Sequence, residues 1–314
     1  MNATAKPATL AALGQLPPPL PRGDILRVDH VSVRVPDLEQ GVAWYTTILG
    51  LVEIERRHGR AYLGGPVSGR YAIALTEGGT GMEYVSFAVN GPDALQRLGA
   101  LIDRQNVAAA DPGDDARTGA QSAIRLKLPA GHMLELAVIK PEDDAARQRR
   151  PAAPGTFNLD VSHVQLRTGD VTDSANFLSG IGFYVTDYVK MRDRDGFFAI
   201  FTRVNEFHHQ IALFAGNTGF HHVALETDQA LDVMKLGDHL LLHRVAAEYG
   251  PGRHVPGKGV FMYIRDPWGN RVEISSPIEM VGFDAPPREL TQPIPFIVNM
   301  WGPQPPESWR NDVT

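Results

Sequence analysis

The strongest constraint on the fold is an internal duplication. The segment VDHVSVRVPDLEQGVAWYTTILGLVEI, from Val28, resembles the segment VSHVQLRTGDVTDSANFLSGIGFYVTDY, from Val161. Each begins with a β-branched run that contains a histidine, continues into a helical pattern and ends in an apolar strand. The two histidines, His30 and His163, are 133 positions apart. One supersecondary pattern therefore occurs twice in the chain.

The ends of the two helical patterns also match. An aspartate precedes each pattern, at Asp37 and Asp170, and a glycine follows it, at Gly50 and Gly182. An aspartate oxygen can accept hydrogen bonds from the free N–H groups at a helix start. Glycine can adopt the left-handed conformation that closes a helix. We therefore predict one helix after the first strand of each copy.

The second half of each copy repeats in the same way. GMEYVSFAV, from Gly81, matches GFHHVALET, from Gly219, and PAGHMLELAV, from Pro129, matches PWGNRVEISS, from Pro267, both at a separation of 138. Helical patterns lie between these segments, so each copy contains a strand–helix–strands unit twice. A period this long indicates a duplicated domain and not a solenoid. The sequence predicts an α+β protein of two tandem domains.

Composition shifts predict the domain boundaries. We expect an extended, proline-broken arm at residues 1–24, which does not have the form of a signal peptide. The predicted domains span residues 25–141 and 158–282, joined by a linker that is charged and then rich in proline and alanine. The repeated pattern stops after Pro277, and residues 283–314 form a proline-rich tail.

Composition also excludes several classes of function. The net charge of −6 gives no basic surface for nucleic acid or for a membrane, and no apolar stretch approaches the length of a bilayer span. The chain has no cysteine, so disulfides and thiolate metal sites are excluded. We expect a cytoplasmic protein without nucleic-acid or membrane partners.

Three matched positions carry candidate chemistry. The first copy has His30, Tyr84 and Glu135 at these positions, and the second copy has the residues His163, His222 and Glu273. The neighbouring His221 matches a glutamate of the first copy. Because strand side chains alternate between faces, only one of two adjacent histidines is expected to face a given cavity. The alignment selects His222.

Two histidines and one carboxylate on three strands are typical of a divalent metal site that leaves one face open. This arrangement favours Fe(II), it also suits Mn(II), and Zn(II) is compatible with the ligand types. Tyr84 replaces one ligand in the first copy, so we predict that the first domain is metal-free. Any one of these residues, taken alone, is also compatible with an ordinary strand residue.

The second copy resembles the type I extradiol ring-cleaving dioxygenases of the vicinal oxygen chelate superfamily. The segments that carry the resemblance are VSHVQLRTGD, NEFHHQIALF, GFHHVALETD and GPGRHVPGKGVFMYIRDPWGNRVEI, and it extends over Val28 to Pro277. It implies that each domain consists of two βαβββ modules that form a half-open barrel. It also implies that His163, His222 and Glu273 bind iron.

The resemblance implies roles for further residues of the second copy. His209 corresponds to the family's acid–base histidine, His254 to a histidine that hydrogen-bonds near the bound catecholate, and Tyr263 to a tyrosine that contacts a substrate oxygen. Arg253 corresponds to a pocket arginine of some members. Apolar residues near these motifs are candidates for the pocket lining; they are Phe198, Phe201, Phe261 and Trp268.

The resemblance implies a catecholic or trihydroxylated substrate, O₂ and Fe(II), with Mn(II) as the alternative metal. It also leads us to expect a homo-oligomer. The tail stretch PFIVNMWGPQPPESW contains no arginine, unlike relatives that bind a carboxylated catechol, so a substrate carboxylate is not expected. Two other functions stay open: a metal-dependent isomerase or epimerase of the same superfamily, and a small-molecule-binding protein without catalysis.

Overall fold

A computed structural model describes residues 23–116, 118–139 and 157–314. Nearly all of the predicted N-terminal arm and most of the linker lie outside these residues. Within the described ranges, no helix is both long enough and apolar enough to cross a membrane.

The first domain consists of two consecutive βαβββ modules. The elements of the first module are β1 (Ile25–Val35), α1 (Leu38–Leu49), β2 (Val52–Arg57), β3 (Arg60–Gly64) and β4 (Ile73–Glu77). Those of the second are β5 (Gly81–Val89), α2 (Pro92–Arg104), β6 (Ala109–Ala110), β7 (Ala120–Lys127) and β8 (Met133–Ile139). One mixed sheet contains all eight strands, in the order β2-β3-β4-β1-β5-β8-β7-β6.

The second domain repeats this arrangement. Its first module contains β9 (Asp160–Thr168), α3 (Val171–Gly180), β10 (Tyr184–Lys190), β11 (Phe197–Arg203) and β12 (Ile211–Ala215). Its second contains β13 (Gly219–Glu226), α4 (Ala230–Leu242), β14 (Tyr249–Arg253), β15 (Val260–Arg265) and β16 (Arg271–Ser275). The strand order is β14-β15-β16-β13-β9-β12-β11-β10. The expected α+β class and tandem arrangement are confirmed.

Matched strands pair in the same register in the two domains. In the first domain, Ser86 pairs with Glu135 across β5 and β8, and in the second, Ala224 pairs with Glu273 across β13 and β16. Both members of the second pair lie 138 positions beyond their counterparts. Because a one-residue slip would turn every side chain to the opposite face, a shared register places matched residues on matched faces.

Residues at the predicted positions cap the two matched helices. Asp37 accepts a hydrogen bond from the backbone N–H of Gln40, and Asp170 accepts from the N–H groups of Thr172 and Asp173. Gly50 closes α1 at φ 69°, a left-handed conformation that favours glycine. The predicted N-caps are therefore confirmed.

The two sheets share one continuous hydrophobic core, and polar contacts also join the domains. The Tyr45 hydroxyl on α1 donates to Asp266 at 3.2 Å, in the turn between β15 and β16. In the same turn, the Asn270 amide donates to the carbonyl of Arg34 and accepts from the N–H of Gly81. This turn therefore forms part of the domain interface.

The C-terminal tail packs across the second domain. It contains β17 (Arg288–Glu289), α5 (Ile294–Val298) and α6 (Glu307–Asn311), and β17 adds to the sheet beside β10. The last residue, Thr314, exchanges two backbone hydrogen bonds with Phe220 at the start of β13. The end of the chain is therefore held beside the two adjacent histidines of that strand.

Replacing Asp170 tests the cap of α3. We expect Asp170→Ala to lower the free energy of unfolding by about 1 kcal/mol, because two N–H groups lose their acceptor. Asp170→Asn keeps an acceptor oxygen and should remain near wild type. Urea unfolding followed by circular dichroism measures both, and equal losses in the two variants would contradict the capping role.

Candidate metal centre

Three neighbouring strands bring the predicted metal ligands together. His163 lies on β9, His222 on β13 and Glu273 on β16, and β13 is hydrogen-bonded to both other strands. The Glu273 Oε2 atom is 3.3 Å from His163 Nε2 and 3.0 Å from His222 Nε2. The ligand atoms all lie within 4.8 Å of one another. One ion can therefore contact all three side chains.

The protonation of this cluster suits a cation. Burial alone would raise the pKa of the Glu273 carboxyl, but the imidazoles of His163, His222 and His254 around it hold that pKa well below its usual range. Burial lowers the pKa of His222 to about 4, against the opposing effect of Glu273. A charged carboxylate and a neutral imidazole are the forms that bind a metal.

Two of the predicted ligand atoms are buried without a hydrogen-bond partner among the described residues. They are His222 Nε2 and Glu273 Oε2. Buried polar atoms without partners are rare because leaving them desolvated costs free energy. A divalent cation between them would contact both atoms. The donor set fits Fe(II) or Mn(II) by ligand type and number.

A second histidine fixes the tautomer of His222. His221 Nε2 lies 2.7 Å from the carbonyl oxygen of Trp309, which can only accept, so His221 carries a proton on Nε2. In neutral His221, Nδ1 is then an acceptor, and it lies 2.7 Å from His222 Nδ1. His222 therefore donates from Nδ1 and keeps the Nε2 lone pair for the metal.

Ser162 occupies the corresponding place behind His163. His163 Nδ1 lies 3.2 Å from the Ser162 hydroxyl, which donates to Glu226 at 3.4 Å. The hydroxyl therefore accepts from Nδ1 and leaves the Nε2 lone pair directed at the cluster. Burial raises the pKa of the Glu226 carboxyl to about 7. Glu226 also lines a cavity of about 140 Å³ between the domains.

A pocket opens on one side of the three ligands. Its polar lining includes Gln165, His209, His254 and Tyr263. Its apolar lining comes from β10, β11, β12, the tail and the segment after β14; these residues are Val189, Phe198, Ala199, Phe201, Ala212, Phe214, Pro256, Ile297, Val298 and Trp309. Of the described residues, neither an arginine nor a lysine lines it. The pocket combines an apolar wall with a few groups that can move protons.

The three predicted catalytic side chains lie beside the ligands. The ring centroid of His209 is 4.2 Å from that of His163. His254 Nδ1 donates to the carbonyl of Val298, so its Nε2 accepts from the Tyr263 hydroxyl at 3.0 Å. Burial, and secondly the nearby Glu273 carboxylate, raise the pKa of Tyr263 well above its usual value. Tyr263 therefore holds its proton and can donate a hydrogen bond.

The structure does not place every predicted pocket residue in the pocket. The Arg253 side chain donates to the carbonyl of Lys258 and does not line the cavity. Trp268 packs against the main core from the turn between β15 and β16, at the domain interface. Phe261 stacks on the ring of His254 at 3.9 Å. Arg253 and Trp268 therefore lie outside the pocket lining and Phe198 lies in it; the substrate-binding roles of all three stay predictions.

Sequence reasoning did not place the tail at the site. Ile297 and Val298 of α5 and Trp309 of α6 line the pocket. Arg167 holds α6 in place by donating to the carbonyls of Trp309 and Arg310. The tryptophan in the tail was a visible signal, but the repeat offers no counterpart from which to infer its position.

A cationic side chain occupies the corresponding region of the first domain. Arg125, 138 positions before Tyr263, donates to Glu135 at 2.6 Å and lies 4.0 Å from the centre of the Tyr84 ring. The Tyr84 hydroxyl lies 3.3 Å from His30 Nε2. The guanidinium thus gives the buried carboxylate a countercharge. This supports the view that the first domain binds no metal, which stays a prediction.

Comparison with known proteins gives one family model and several relatives. The model of the Glyoxalase/Bleomycin resistance protein/Dioxygenase superfamily matches residues 27–136 and 160–274. A metapyrocatechase from Pseudomonas sp. (strain CF600) is 29% identical over 270 residues, covering 80% of this chain and 85% of that protein. A manganese-dependent 2,3-dihydroxybiphenyl 1,2-dioxygenase from Geobacillus genomosp. 3 is 25% identical over 273 residues, covering 81% and 85%.

Solved structures show the same architecture. The 2,3-dioxygenase LapB from Pseudomonas sp. KL28 superimposes with a TM-score of 0.76 at 25% identity, covering 84% of this chain and 96% of that one. Homoprotocatechuate 2,3-dioxygenase from Arthrobacter globiformis superimposes with a TM-score of 0.81 at 23% identity, covering 96% and 95%. At that identity the second comparison concerns the fold.

Replacing one ligand tests the metal centre. We expect His163→Ala to weaken Fe(II) or Mn(II) binding at least about 100-fold, because two side chains hold a divalent ion poorly. His30→Ala removes the matched histidine of the first domain and should retain the metal. Elemental analysis after anaerobic loading and desalting measures both. Metal retained by the first variant, or lost by the second, would contradict the assignment.

Replacing Glu226 tests the buried carboxyl behind His163. The folded protein holds its proton up to about pH 7, whereas the unfolded chain releases it near 4.5, so this group lowers stability as the pH rises between these values. As the pH rises from about 5 to about 8, the free energy of unfolding of Glu226→Gln should therefore increase relative to that of wild type by on the order of 1–2 kcal/mol. Urea unfolding at both pH values measures it. The exposed Asp228→Asn is the control, and a gain independent of pH would contradict the prediction.

Proposed function

The chain belongs to the Glyoxalase/Bleomycin resistance protein/Dioxygenase superfamily, and we propose that it is an extradiol dioxygenase that cleaves a catecholic ring next to the diol with O₂. The observation that carries this proposal is the convergence of two histidines and one carboxylate beside a pocket. Of the relatives described above, one is named a 2,3-dihydroxybiphenyl 1,2-dioxygenase and the other a metapyrocatechase. Three protein ligands leave positions for a diol and for O₂.

Fe(II) is the metal that best fits the proposal, and Mn(II) is the alternative. His163, His222 and Glu273 would hold it. One relative is manganese-dependent by name, and the donor set suits either ion. When bound, the metal supplies Lewis acidity toward the diol and the redox capacity that joins diol and O₂.

The protein's own side chains bind the substrate and handle its protons. The Tyr263 hydroxyl donates to His254 beside Glu273, and on binding it would redirect its proton to a substrate oxygen. His209 lies next to His163 and would take a proton from the diol and later return one. The apolar walls exclude water, which strengthens each of these hydrogen bonds.

The lining of the pocket supports a substrate with a neutral ring. Three arginines of the second domain and the tail are engaged elsewhere: Arg167 with tail carbonyls, Arg253 with Lys258, and Arg288 with Asp187. A substrate carboxylate would meet no cation among the described lining residues, and burying it unpaired is costly. The buried Trp309 indole N–H, which has no partner among the residues that the structure describes, would donate to a neutral oxygen substituent.

We also propose that the protein is cytoplasmic and that it forms a homo-oligomer. The absence of cysteine is compatible with a cytoplasmic enzyme. Leucines on the outer face of α4, Leu231, Leu241 and Leu242, are 57%, 76% and 82% exposed. Exposed apolar side chains grouped on one helix support self-association into a homo-oligomer.

Oxygen consumption tests the function. Protein loaded with Fe(II) should consume one O₂ per catechol and yield a coloured ring-opened product. The kcat/KM for catechol or 4-methylcatechol should exceed that for 3,4-dihydroxyphenylacetate by at least about 100-fold, since the latter buries an unpaired charge. An oxygen electrode and product absorbance measure both.

Two results would overturn the proposal. Metal-dependent turnover of a thiol hemiacetal without O₂ would indicate an isomerase. Catechol binding that is independent of metal, with no O₂ uptake by the loaded protein, would indicate a binding protein.

A further inference from the structure

We propose that His208 and Asp187 are positioning residues that set the tautomer of His209 and thereby make it a base toward the pocket. The inference rests on the proposed function, in which His209 handles the substrate proton. It concerns side chains behind the pocket, because neither His208 nor Asp187 lines it.

A continuous chain of hydrogen bonds joins these residues. His209 Nδ1 lies 2.9 Å from His208 Nδ1, and His208 Nε2 lies 2.9 Å from Asp187 Oδ2. Asp187 Oδ1 accepts from Arg288 Nε at 2.7 Å. His208 is fully buried and Asp187 is 1% exposed. Water therefore does not compete for these contacts.

The donor and acceptor roles along these hydrogen bonds follow from the Asp187 carboxylate. Burial works against the charged form of Asp187, but hydrogen bonds from His208 and Arg288 hold its pKa below the usual value. An ionised carboxylate only accepts, so His208 must carry a proton on Nε2. In neutral His208, Nδ1 is then an acceptor and takes the hydrogen bond of His209 Nδ1–H. This leaves the lone pair of His209 Nε2 free to accept a proton.

The same device occurs at the neighbouring histidine pair. His221 fixes His222 through an Nδ1–Nδ1 contact, and the carbonyl of Trp309 fixes His221. In both pairs the first histidine is buried behind the second and accepts its Nδ1–H. The Nε2 lone pair of the second histidine is therefore directed toward the metal site or the pocket. One pair serves the metal and the other serves the base. The sequences FHHQ and GFHH therefore share a physical reason for their doubled histidines.

Asp187→Asn should reverse the donor and acceptor roles along this series of hydrogen bonds. Arg288 donates to both oxygens of Asp187 and will hold the amide oxygen, which leaves the amide N–H₂ facing His208. His208 then accepts at Nε2 and donates from Nδ1, so His209 carries its proton on Nε2. A histidine in that tautomer cannot accept a proton from the substrate, as in the serine-protease case where the same substitution lowers kcat severely.

The experiment compares Fe(II)-loaded wild type with Asp187→Asn, using catechol. We expect kcat to fall at least about 100-fold, with KM within about 3-fold and metal content unchanged. In Zn(II)-loaded protein, long-range ¹H–¹⁵N correlation should show the His209 proton moving from Nδ1 to Nε2. Asp29→Asn is the matched control, because Asp29 holds Arg27 and the buried His30 in the first domain.

Each outcome decides the inference. A kcat within about 3-fold of wild type, or an unchanged His209 tautomer, overturns it, as does an equal loss in Asp29→Asn. If Asp187→Asn does not fold, His208→Gln replaces it, since its amide presents an acceptor to His209 and a donor to Asp187. It should exceed His208→Phe in kcat at least about 10-fold, and equal rates overturn the inference. An inactive wild type would instead refute the proposed function.

Discussion

A carboxylate buried in a protein needs a countercharge, and the second domain is organised around this need. Glu273 is 2% exposed, and the groups nearest its oxygens are imidazoles whose Nδ1 atoms are already engaged. Their Nε2 lone pairs therefore face the carboxylate, an arrangement that is unfavourable unless a cation lies between them. The metal is thus a requirement of the electrostatics of the fold as well as of the chemistry.

The tail belongs to the same electrostatic arrangement. The carbonyl of Trp309 fixes the tautomer of His221, and through it the tautomer of a ligand. The neighbouring carbonyls of Val298 and Ile297 hold His254 and the backbone after it. One segment therefore closes the pocket and orients two histidines, because a backbone carbonyl can only accept.

The duplication made much of the site predictable. Two offsets and the alternation of strand side chains were enough to select His163, His222 and Glu273, because a shared register carries matched residues to matched faces. The contact of His208, in the loop before β12, with Asp187 on β10 joins residues 21 positions apart, and the tail has no counterpart in the repeat, so neither could be predicted from the pattern. The resemblance gave the position of Arg253 along β14 and not the direction of its side chain, which donates to the carbonyl of Lys258.

The first domain, which we predict to be metal-free, differs from the metal centre in how its buried glutamate is neutralised. Both domains bury a glutamate at the same register position, and the residue paired with it across the strand is Arg125 in one and Tyr263 in the other. The arginine supplies a permanent charge to Glu135, so a cation there would meet repulsion and a satisfied carboxylate. The tyrosine supplies a hydrogen-bond donor and leaves the charge of Glu273 unbalanced. Two differences, Tyr84 for His222 and Arg125 for Tyr263, thus distinguish the domain predicted to be metal-free from the metal centre. In each domain the fold requires a positive charge beside the buried glutamate, and an arginine or a metal ion can supply it.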